Sequence, residues 1–324
     1  MENSRKWLHT IEAILAAMLI IMAFAMLWEK DRNNLHKISV VIQNSDDHQW
    51  SAFRYGLKMA AQDQEIEIVI ASTGDVMTVE EELDTIRREI DHGADAVIVQ
   101  PVPGADLEKK LKKLEKKVPI MLVECTAAKE QGKSLFPIVE PDHDAMGRAL
   151  AEELLKDYNG NLSGKTVGIV TESDETESVR NRIKGFEEIL KDTGAECSWT
   201  FSDCSAETGE NSLEVQPVVD LVIALDDHSL IMTAEYAAAN NLHGALVYGI
   251  GNSTEAAYYL DTGTVECLVV PDEFSVGYQS LTEAAESLGH YFRKMKSRTV
   301  SHTVIRREEL FTRENQEILF TMSQ

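Results

Sequence analysis

The chain has 324 residues, a formal net charge of −24 at pH 7, 44% hydrophobic residues and 27% charged residues. This composition is typical of a globular protein, and a chain of this length is expected to form two packed lobes rather than one small core. The excess of 55 acidic over 31 basic residues argues against binding to nucleic acid or to anionic lipid surfaces, because both are polyanions.

The first feature along the chain is an apolar segment over residues 7–28. As a helix rising about 1.5 Å per residue it would be about 30 Å long, which is the thickness of a hydrocarbon core. Trp7 and Trp28 bracket it as interfacial aromatic residues do, and Arg5 and Lys6 precede it. We therefore predict a single-pass N-terminal transmembrane helix in the cell membrane, with the N-terminus in the cytoplasm and the soluble region on the extracellular side.

A cleaved signal peptide is the alternative interpretation of this segment. Residues 23–25 (Ala-Phe-Ala) resemble the small-x-small pattern of a cleavage site. The apolar run continues beyond them to Trp28 and is longer than the usual core of a signal peptide, which favours the anchor. Residues 29–34 follow as a short hydrophilic linker.

From Leu35 onward, short apolar runs alternate with amphipathic helical patterns. In the first half the pattern predicts strands at 38–42, 66–71, 96–99 and 120–123, and helices at 50–63, 78–92 and 105–117. Thr78 and Glu81 have the spacing of a capping box, and Gly93 is placed to end the same helix. In the second half it predicts helices at 144–158, 178–192, 229–240, 254–260 and 275–296, and strands at 166–170, 197–201, 221–225, 245–250 and 265–270.

Near-continuous apolar strands separated by helices indicate parallel sheets that are covered on both faces. The predicted fold class is therefore α/β, with two similar doubly wound lobes and a cleft between them. In open parallel sheets, ligands bind beyond the carboxyl ends of the strands. The residues that follow the strands are thus candidates for a binding site, although Asp, Ser and Asn at such positions are equally expected as helix caps.

No catalytic sequence motif is present, since the chain lacks GxSxG, HExxH, a Walker glycine loop and GxGxxG after a strand. We therefore expect neither an enzyme nor a cofactor. Asp-Asp-His occurs once in each half, at 46–48 and 226–228, and a metal site formed on closure is a minor alternative. Cys197 and Cys204 are close enough in sequence to form a disulfide, but separate thiols are an equally good interpretation.

Several segments resemble the type I periplasmic sugar-binding proteins of the ribose-binding group. The resemblance runs from about His36 to about Asn315. The segments that carry it are, in chain order, ISVVIQNSDDHQWSAFRYGLKMAA, GADAVIVQPVPGADL, VEPDHDAMGRALAEEL, VRNRIKGFEEIL and LFTREN. Their order and spacing, rather than any one of them, identify the chain as similar to this family.

The resemblance implies two lobes that are joined by three crossing segments and clamp a ligand between them. The crossings would lie near residues 139–142, 271–273 and 298–303. Lobe 1 would comprise residues 35–139 and 273–297, and lobe 2 residues 140–272 and 298–324. Residues 1–34 would precede them as the cytoplasmic N-terminus, the membrane anchor and the linker.

The resemblance also assigns roles within the cleft. It places the stacking aromatic residues of the family on Gln49 and Trp50, its ligand-binding arginine on Arg180 and its strand-end asparagine on Asp226. Together with the polar strand ends, this predicts a ligand site formed by Asp47, Gln49, Trp50, Glu124, Arg180, Asp226, Asp227 and Asn252.

Three positions depart from the family pattern. Pro103 and Gly251 stand where the family often has an aspartate, and Pro271 stands where an amide is common. Several partners of sugar hydroxyl groups are therefore missing or moved, and Asn252 and Asp272 are neighbours that could substitute for them.

These observations predict a monomeric, membrane-tethered extracellular solute-binding protein. It would close around a small polar ligand, a sugar or sugar-like molecule, and present it to an ABC importer (its permease) or to a membrane sensor kinase. The alternative is a ligand-sensing or structural surface protein whose diverged cleft binds a cationic ligand or no sugar. An acid-rich cleft with an aromatic face at Trp50 would suit such a cation.

Overall fold

The protein is described here by a computed structural model. The structure describes residues 35–45, 48–74, 77–104, 106–124, 134–172, 176–202, 213–289 and 293–320, together with Met18. Within these ranges, no helix has the length and apolar character needed to cross a membrane. The predicted anchor at 7–28 lies outside the described residues, apart from Met18.

The first lobe is built on a six-stranded sheet in which all neighbouring strands are parallel. In chain order its strands are β1 (Lys37–Val41), β2 (Glu67–Ile70), β3 (Ala96–Val99), β4 (Ile120–Val123), β5 (Ile138–Pro141) and β11 (Arg298–Val300). Their order across the sheet is β11-β5-β4-β3-β1-β2. The helices of this lobe are α1 (Ser51–Asp63), α2 (Val79–Asp91), α3 (Leu107–Leu114) and α8 (Glu273–Gly289).

The second lobe repeats this strand order. Its strands are β6 (Thr166–Thr171), β7 (Glu196–Ser202), β8 (Leu221–Ala224), β9 (Leu246–Ile250), β10 (Val265–Pro271) and β12 (His302–Arg306), and they lie in the order β12-β10-β9-β8-β6-β7. Only the edge strand β12 is antiparallel to its neighbour among these described strands. The helices are α4 (His143–Asp157), α5 (Glu177–Leu190), α6 (Asp227–Ala238), α7 (Thr254–Thr262) and α9 (Arg313–Phe320).

Both faces of each sheet are buried, as the near-continuous apolar strands predict. In β1, Ile38 and Val40 pack in the cluster that contains residues of α1 and α8, whereas Val41 packs in the cluster of α2 and α3. All three side chains are fully buried. Successive residues of a strand point to opposite faces, so only a strand that is apolar throughout can be covered by helices on both sides.

The capping box predicted for the second helix is confirmed. The Thr78 hydroxyl accepts a hydrogen bond from the backbone N–H of Glu81 at 3.3 Å, and the Glu81 carboxylate accepts one from the backbone N–H of Thr78 at 2.8 Å. Gly93 follows the helix with a φ of 89°, a conformation that glycine adopts at little cost.

The chain passes between the lobes at three places that lie side by side. Asp142 separates β5 from α4, Asp272 separates β10 from α8, and Ser301 separates β11 from β12. The backbone N–H of Asp142 donates to the carbonyl oxygen of Val300 at 3.0 Å, and that of Asp272 donates to the carbonyl oxygen of Ser301 at 3.4 Å. The three crossings therefore form one hydrogen-bonded hinge region.

The boundaries predicted for the lobes need correction at two points. Residues 140–141 and 298–300 belong to the first sheet, because Thr299 pairs with Glu140 and Val300 with Pro141. The pattern missed these short strands because a glutamate and a proline interrupt the apolar run of β5. Helix α8 is described over Glu273–Gly289, and residues 293–297 are not helical, so the helix predicted over 275–296 stops before residue 293.

Each lobe contains a helix pair in which the backbones touch. A Cβ atom on Gly56 of α1 would lie 2.1 Å from a carbonyl oxygen of α8, and one on Gly277 of α8 would lie 2.1 Å from a carbonyl oxygen of α1. In the second lobe, Gly147 of α4 and Gly185 of α5 make the same reciprocal contact, with distances of 2.0 and 2.1 Å. Only glycine permits this approach, and it fixes how α4 and α8 leave the hinge.

Candidate functional site

A cleft opens between the lobes at the carboxyl ends of the strands, with about 820 Å³ of space when the open solvent at its mouth is included. The first lobe contributes Gln49, Trp50, Gln100 and Glu124, and the second crossing contributes Pro271 and Glu273. The second lobe contributes Glu172, Thr176, Ser178, Val179, Arg182, Asp226, Asp227, Ile250, Gly251 and Asn252.

Trp50 forms part of the cleft wall that the first lobe provides. It ends a single 3-10 turn that follows β1 and leads into α1. Its indole N–H donates to the carbonyl oxygen of Gln43 at 3.0 Å, and its ring meets Phe53 edge-on with 5.5 Å between the ring centroids. Only 6% of the residue is exposed. Trp50 thus packs as a core residue while also lining the cleft.

Asp226 is held by the backbone of its own lobe. One carboxylate oxygen accepts a hydrogen bond from the backbone N–H of Ser229 at 2.8 Å and caps α6. The backbone N–H of Asp226 donates to the Ser229 hydroxyl, which completes a capping box. The other carboxylate oxygen accepts from the N–H of Glu172 at 2.8 Å and from the hydroxyl of Thr171 at 3.1 Å. The carboxylate therefore ties the end of β6 to the start of α6 at the edge of the cleft.

Asp227 ties the same helix to the neighbouring strand end. Its Oδ1 accepts from the backbone N–H groups of Asn252 at 2.8 Å and of Ser253 at 3.0 Å. Burial raises the pKa of this carboxyl, while the two backbone donors act in the opposite direction. Asp227 positions the loop that presents Asn252 to the cleft.

Arg182 of α5 brings a guanidinium group into the cleft. Its Nη1 donates to the carbonyl oxygen of Leu225 at 2.6 Å and its Nε donates to Nδ1 of His143 at 3.2 Å. Only 8% of the residue is exposed. The guanidinium is thereby fixed at the base of the site, beside the acidic groups of the other lobe.

The structure places Arg180 elsewhere. This residue is exposed and does not line the cleft. Two residues along an α-helix correspond to a rotation of about 200°, so Arg180 and Arg182 point to nearly opposite sides of α5. The arginine that the resemblance assigned to the ligand therefore lies two positions before the one that faces the cleft.

Glu124 and Glu273 form a pair of carboxyls at the base of the cleft. Glu124 follows β4 with a φ of 47°, and Glu273 opens α8 directly after the second crossing. The two side chains share a hydrogen bond. Glu124 Oε1 and Glu273 Oε2 are buried, and neither has a hydrogen-bond partner among the described residues.

Both carboxyls of this pair resist ionisation. Burial raises the pKa of Glu124 to about 7, with Arg182 opposing the shift and Glu140 adding to it. Burial and the adjacent Glu124 raise the pKa of Glu273 well above its ordinary value. Two buried carboxyls in contact cannot both carry a charge at low cost, so the pair retains a proton that they share.

Six of the eight predicted site residues line the cleft: Gln49, Trp50, Glu124, Asp226, Asp227 and Asn252. Arg180 does not, and Asp47 lies outside the described residues. No group of three metal-ligating side chains is found within the described ranges, and the alternative that invoked residues 46–48 rests partly on residues outside them. Six of the predicted residues thus meet in one cleft, and their contact with a ligand stays a prediction.

The prediction missed several residues that line the cleft, and different signals pointed to them. Gln100 and Glu172 directly follow predicted strands, so the strand-end rule applies to both. Arg182 shares one buried stripe with Val179 and Phe186, at helical spacing, which separates it from Arg180. Glu273 comes two residues after Pro271, within the predicted second crossing, but no local signal separates it from Asp272.

Two lobes of the same strand order, three crossings and a polar cleft between the sheets define a two-lobed binding protein. The sequence profile of the periplasmic binding protein domain matches residues 38–290, and the chain belongs to this family. The family resemblance seen in the sequence is thereby confirmed. No curated protein sequence matches the chain.

Solved structures of the same fold are similar over most of the chain. GanP, a glucose-galactose binding protein from Geobacillus stearothermophilus, has a TM-score of 0.70 and 19% identity, covering 86% of this chain and 100% of GanP. A carbohydrate transporter solute binding protein from Agrobacterium radiobacter, in complex with D-arabinose, has a TM-score of 0.72 and 16% identity, covering 89% and 99%. The XylFII-LytSN complex has a TM-score of 0.69 and 16% identity, covering 85% and 99%. At these identities the likeness shows a common fold.

Proposed function

We propose that the protein is a solute-binding protein whose lobes close over a sugar or sugar-like molecule, without chemical conversion of that ligand. The observation that carries the proposal is the cleft, whose walls come from both lobes and from the second crossing. A ligand that touches both walls binds the closed form better than the open form. It therefore shifts the equilibrium between them.

The chemistry of the cleft suits a polyhydroxylated ligand. A hydroxyl group both donates and accepts hydrogen bonds. The amide side chains of Gln49, Gln100 and Asn252 supply both kinds of group, and the guanidinium of Arg182 supplies donors. Structures of this fold whose descriptions name glucose-galactose or D-arabinose binding add support by analogy.

A ligand screen tests this proposal directly. The Tm of the full chain, purified in detergent, is measured with and without D-glucose, D-galactose, D-arabinose or D-ribose. The Kd of each sugar is measured by titration calorimetry. A ligand at 100 times its Kd stabilises the folded state by about 2.7 kcal/mol, which raises Tm by several degrees in a protein of this size. If neither these compounds nor their amino derivatives stabilise the protein, the proposal is wrong.

Two arginines on one helix provide a matched control. Arg182→Gln is expected to weaken binding at least tenfold, because the guanidinium lies in the cleft. Arg180→Gln removes an exposed arginine two residues away and should leave the Kd unchanged. Arg182 is buried, so Asn252→Ala serves as a second variant in which the backbone N–H bonded to Asp227 is kept. Equal binding by all three variants would contradict the proposed site.

We further propose that residues 7–28 anchor the protein in the cell membrane with the soluble region outside. The support is the length of this apolar segment and its Trp7 and Trp28 flanks. Alkaline carbonate extraction of membranes should retain the full chain, and protease added to intact cells should degrade it. N-terminal sequencing that begins after Ala25 would show a cleaved signal peptide instead.

The bound form would be presented to an ABC importer or to a membrane sensor kinase. A sugar ABC transporter's sugar-binding protein from Bacillus halodurans has this fold, and so does the XylFII-LytSN complex. Deletion of the gene that encodes the protein distinguishes between these two possible partners. Loss of ligand uptake at low concentration indicates the importer, whereas normal uptake with a lost transcriptional response indicates the kinase.

A further inference from the structure

The Glu124–Glu273 pair offers hydrogen-bond acceptors that the described residues leave unused. Glu273 is 8% exposed and lines the cleft, and its Oε2 is buried without a partner among the described residues. Oε1 of Glu124 is also buried and has no hydrogen-bond partner among the described residues. A buried acceptor without a donor is costly, so these two oxygens mark a position where a ligand donor would be stabilising.

Two carboxylates that line the cleft from the second lobe are already occupied. Asp226 accepts from two backbone N–H groups and a hydroxyl, and Asp227 accepts from two backbone N–H groups. Arg182, the guanidinium among the residues that line the cleft, donates through Nε and Nη1 to groups of its own lobe. The unused acceptors are therefore concentrated at Glu124 and Glu273.

The charges around this pair balance with one additional cation. If both carboxyls ionise they carry two negative charges, and Arg182 supplies one positive charge. In the empty cleft the shared proton completes the balance. In a complex, a ligand ammonium group could replace that proton, because it carries the same charge and brings three hydrogen-bond donors.

We propose that Glu124 and Glu273 bind a protonated amino group, so that the cleft selects an amino sugar or a related amino polyol over its neutral parent. The inference rests on the proposed function, since it names the ligand class of the same cleft. A hydroxyl group has one donor, whereas an ammonium group can satisfy both unused oxygens at once. A divalent metal is the competing cation, but the described residues contain no group of three ligating side chains.

Binding of the ammonium group must then release the shared proton. The charged groups that act on the pair are Arg182 of α5, Glu140 of β5 and Asp272 at the crossing. Because the proton and the ammonium compete for one position, affinity rises with pH by up to about tenfold per unit below the pKa of the pair. The rise levels off above that pKa, and affinity falls once the amine of the ligand itself loses its proton.

Matched ligand pairs test the proposal. Calorimetry on the full chain at pH 6.5 compares D-glucosamine with D-glucose, and D-galactosamine with D-galactose, with N-acetyl-D-glucosamine as an uncharged derivative. At least one amino sugar is expected to bind tenfold or more tightly than its parent. Repeating the titration in two buffers of different ionisation enthalpy should show release of up to one proton.

Isosteric variants locate the effect. Glu273→Gln should abolish the preference and the proton release, and Glu124→Gln provides a second variant if the first folds poorly. Glu187→Gln, at an exposed position of α5 outside the cleft lining, should retain both. If neutral sugars bind as tightly as amino sugars, this inference is wrong while the proposed function stands. If no compound binds, both are wrong.

Discussion

The two crossing segments at residues 141–153 and 271–283 repeat the same arrangement in opposite lobes. Each begins with the proline that ends a strand, followed by an aspartate, a glycine six residues after the proline and a glutamate six residues later. Asp142 accepts from the N–H of Ala145 at 3.0 Å, and Asp272 accepts from the N–H of Ser275 at 2.9 Å. The repeat therefore includes the helix caps as well as the sequence.

The segments differ at the residue that follows the aspartate. His143 is buried in the first segment and accepts from Arg182, while Glu273 takes the equivalent place in the second and bonds Glu124. The hinge, the cap and the helix contact are common to both lobes, whereas the polar group at this position is not. The repeated frame therefore sets the geometry of both lobes, and the position at which the repeats differ supplies a carboxyl group to the cleft.

The largest effect is expected from the glycines of the repeat. Gly277→Ala and Gly147→Ala each place a methyl group within about 2.1 Å of a carbonyl oxygen on the facing helix. Each should lower the free energy of unfolding by about 3 kcal/mol or more, measured by denaturant titration. Gly289→Ala is the control, because a Cβ there meets no described atom within 4 Å. An unchanged free energy of unfolding for one of the two variants would show that the close helix contact does not stabilise that lobe.

The two glutamates of the repeat pair with different arginines, and we expect the two ion pairs to contribute unequally to the free energy of unfolding. Arg306 bonds the carboxylate and the carbonyl oxygen of Glu153 and also Asp157, whereas Arg298 bonds the carboxylate of Glu283. Loss of Arg306 leaves Glu153 with Lys156 as its remaining cation and takes the guanidinium away from Asp157. Arg306→Gln should therefore cost about 2–3 kcal/mol in the free energy of unfolding.

About half that cost is expected for Arg298→Gln, since the Arg298 side chain is 47% exposed against 25% for Arg306. Arg313→Gln serves as the control because this side chain is 93% exposed. Chemical denaturation of all three variants measures the difference. Equal costs for Arg298 and Arg306 would contradict the predicted asymmetry between the lobes.

The first lobe is also expected to respond to pH through Glu82 of α2. Burial raises the pKa of this carboxyl from 4.5 to about 8, although the backbone N–H of Val102 donates to it at 3.3 Å. The folded state therefore holds a proton that the unfolded state releases, and stability falls as pH rises from 4.5 to 8.

Glu82→Gln should reduce this slope, leaving the part that comes from the Glu124–Glu273 pair, and stabilise the protein at pH 8 by about 2 kcal/mol. Unfolding curves between pH 5 and 8 provide the measurement. Glu80→Gln on the same helix is the control, because Lys110 lowers the pKa of Glu80 and this carboxyl does not titrate in that window. An unchanged slope in Glu82→Gln would exclude Glu82 as its source.

The smallest effect is expected at the two caps of the repeat. Asp142→Ala and Asp272→Ala each remove one side-chain cap, at a cost of about 1 kcal/mol. Hydrogen exchange should show faster opening of α4 in the first variant and of α8 in the second. Uniform acceleration in both helices by either variant would indicate that the crossings unfold as one unit.

Most of the fold could be predicted because its pattern is local. The strands that are apolar throughout, the capping box at Thr78 and the order of the elements are all visible in short windows of sequence. The short strands β5 and β11 were not, because their pairing joins residues about 160 positions apart. Register between distant segments is set by tertiary packing, which a local pattern does not contain.

The site was less predictable for a related reason. Polar strand ends located most of the cleft, but the choice between Arg180 and Arg182 depended on the phase of one helix. Glu273 was missed because its role depends on contact with Glu124, across a hinge whose geometry only the assembled sheets define. Proximity in space, rather than residue type, separated these residues from their neighbours.

The helix contact made by Gly277 has a consequence for the order in which the chain can fold. Helix α8 covers the apolar side of α1 that includes Phe53 and Leu57, yet more than two hundred residues separate the two contacts in sequence. During synthesis, the first lobe must therefore wait for nearly all of the second lobe before its own core closes. A chain that stops at residue 272 would leave that surface exposed and prone to aggregation.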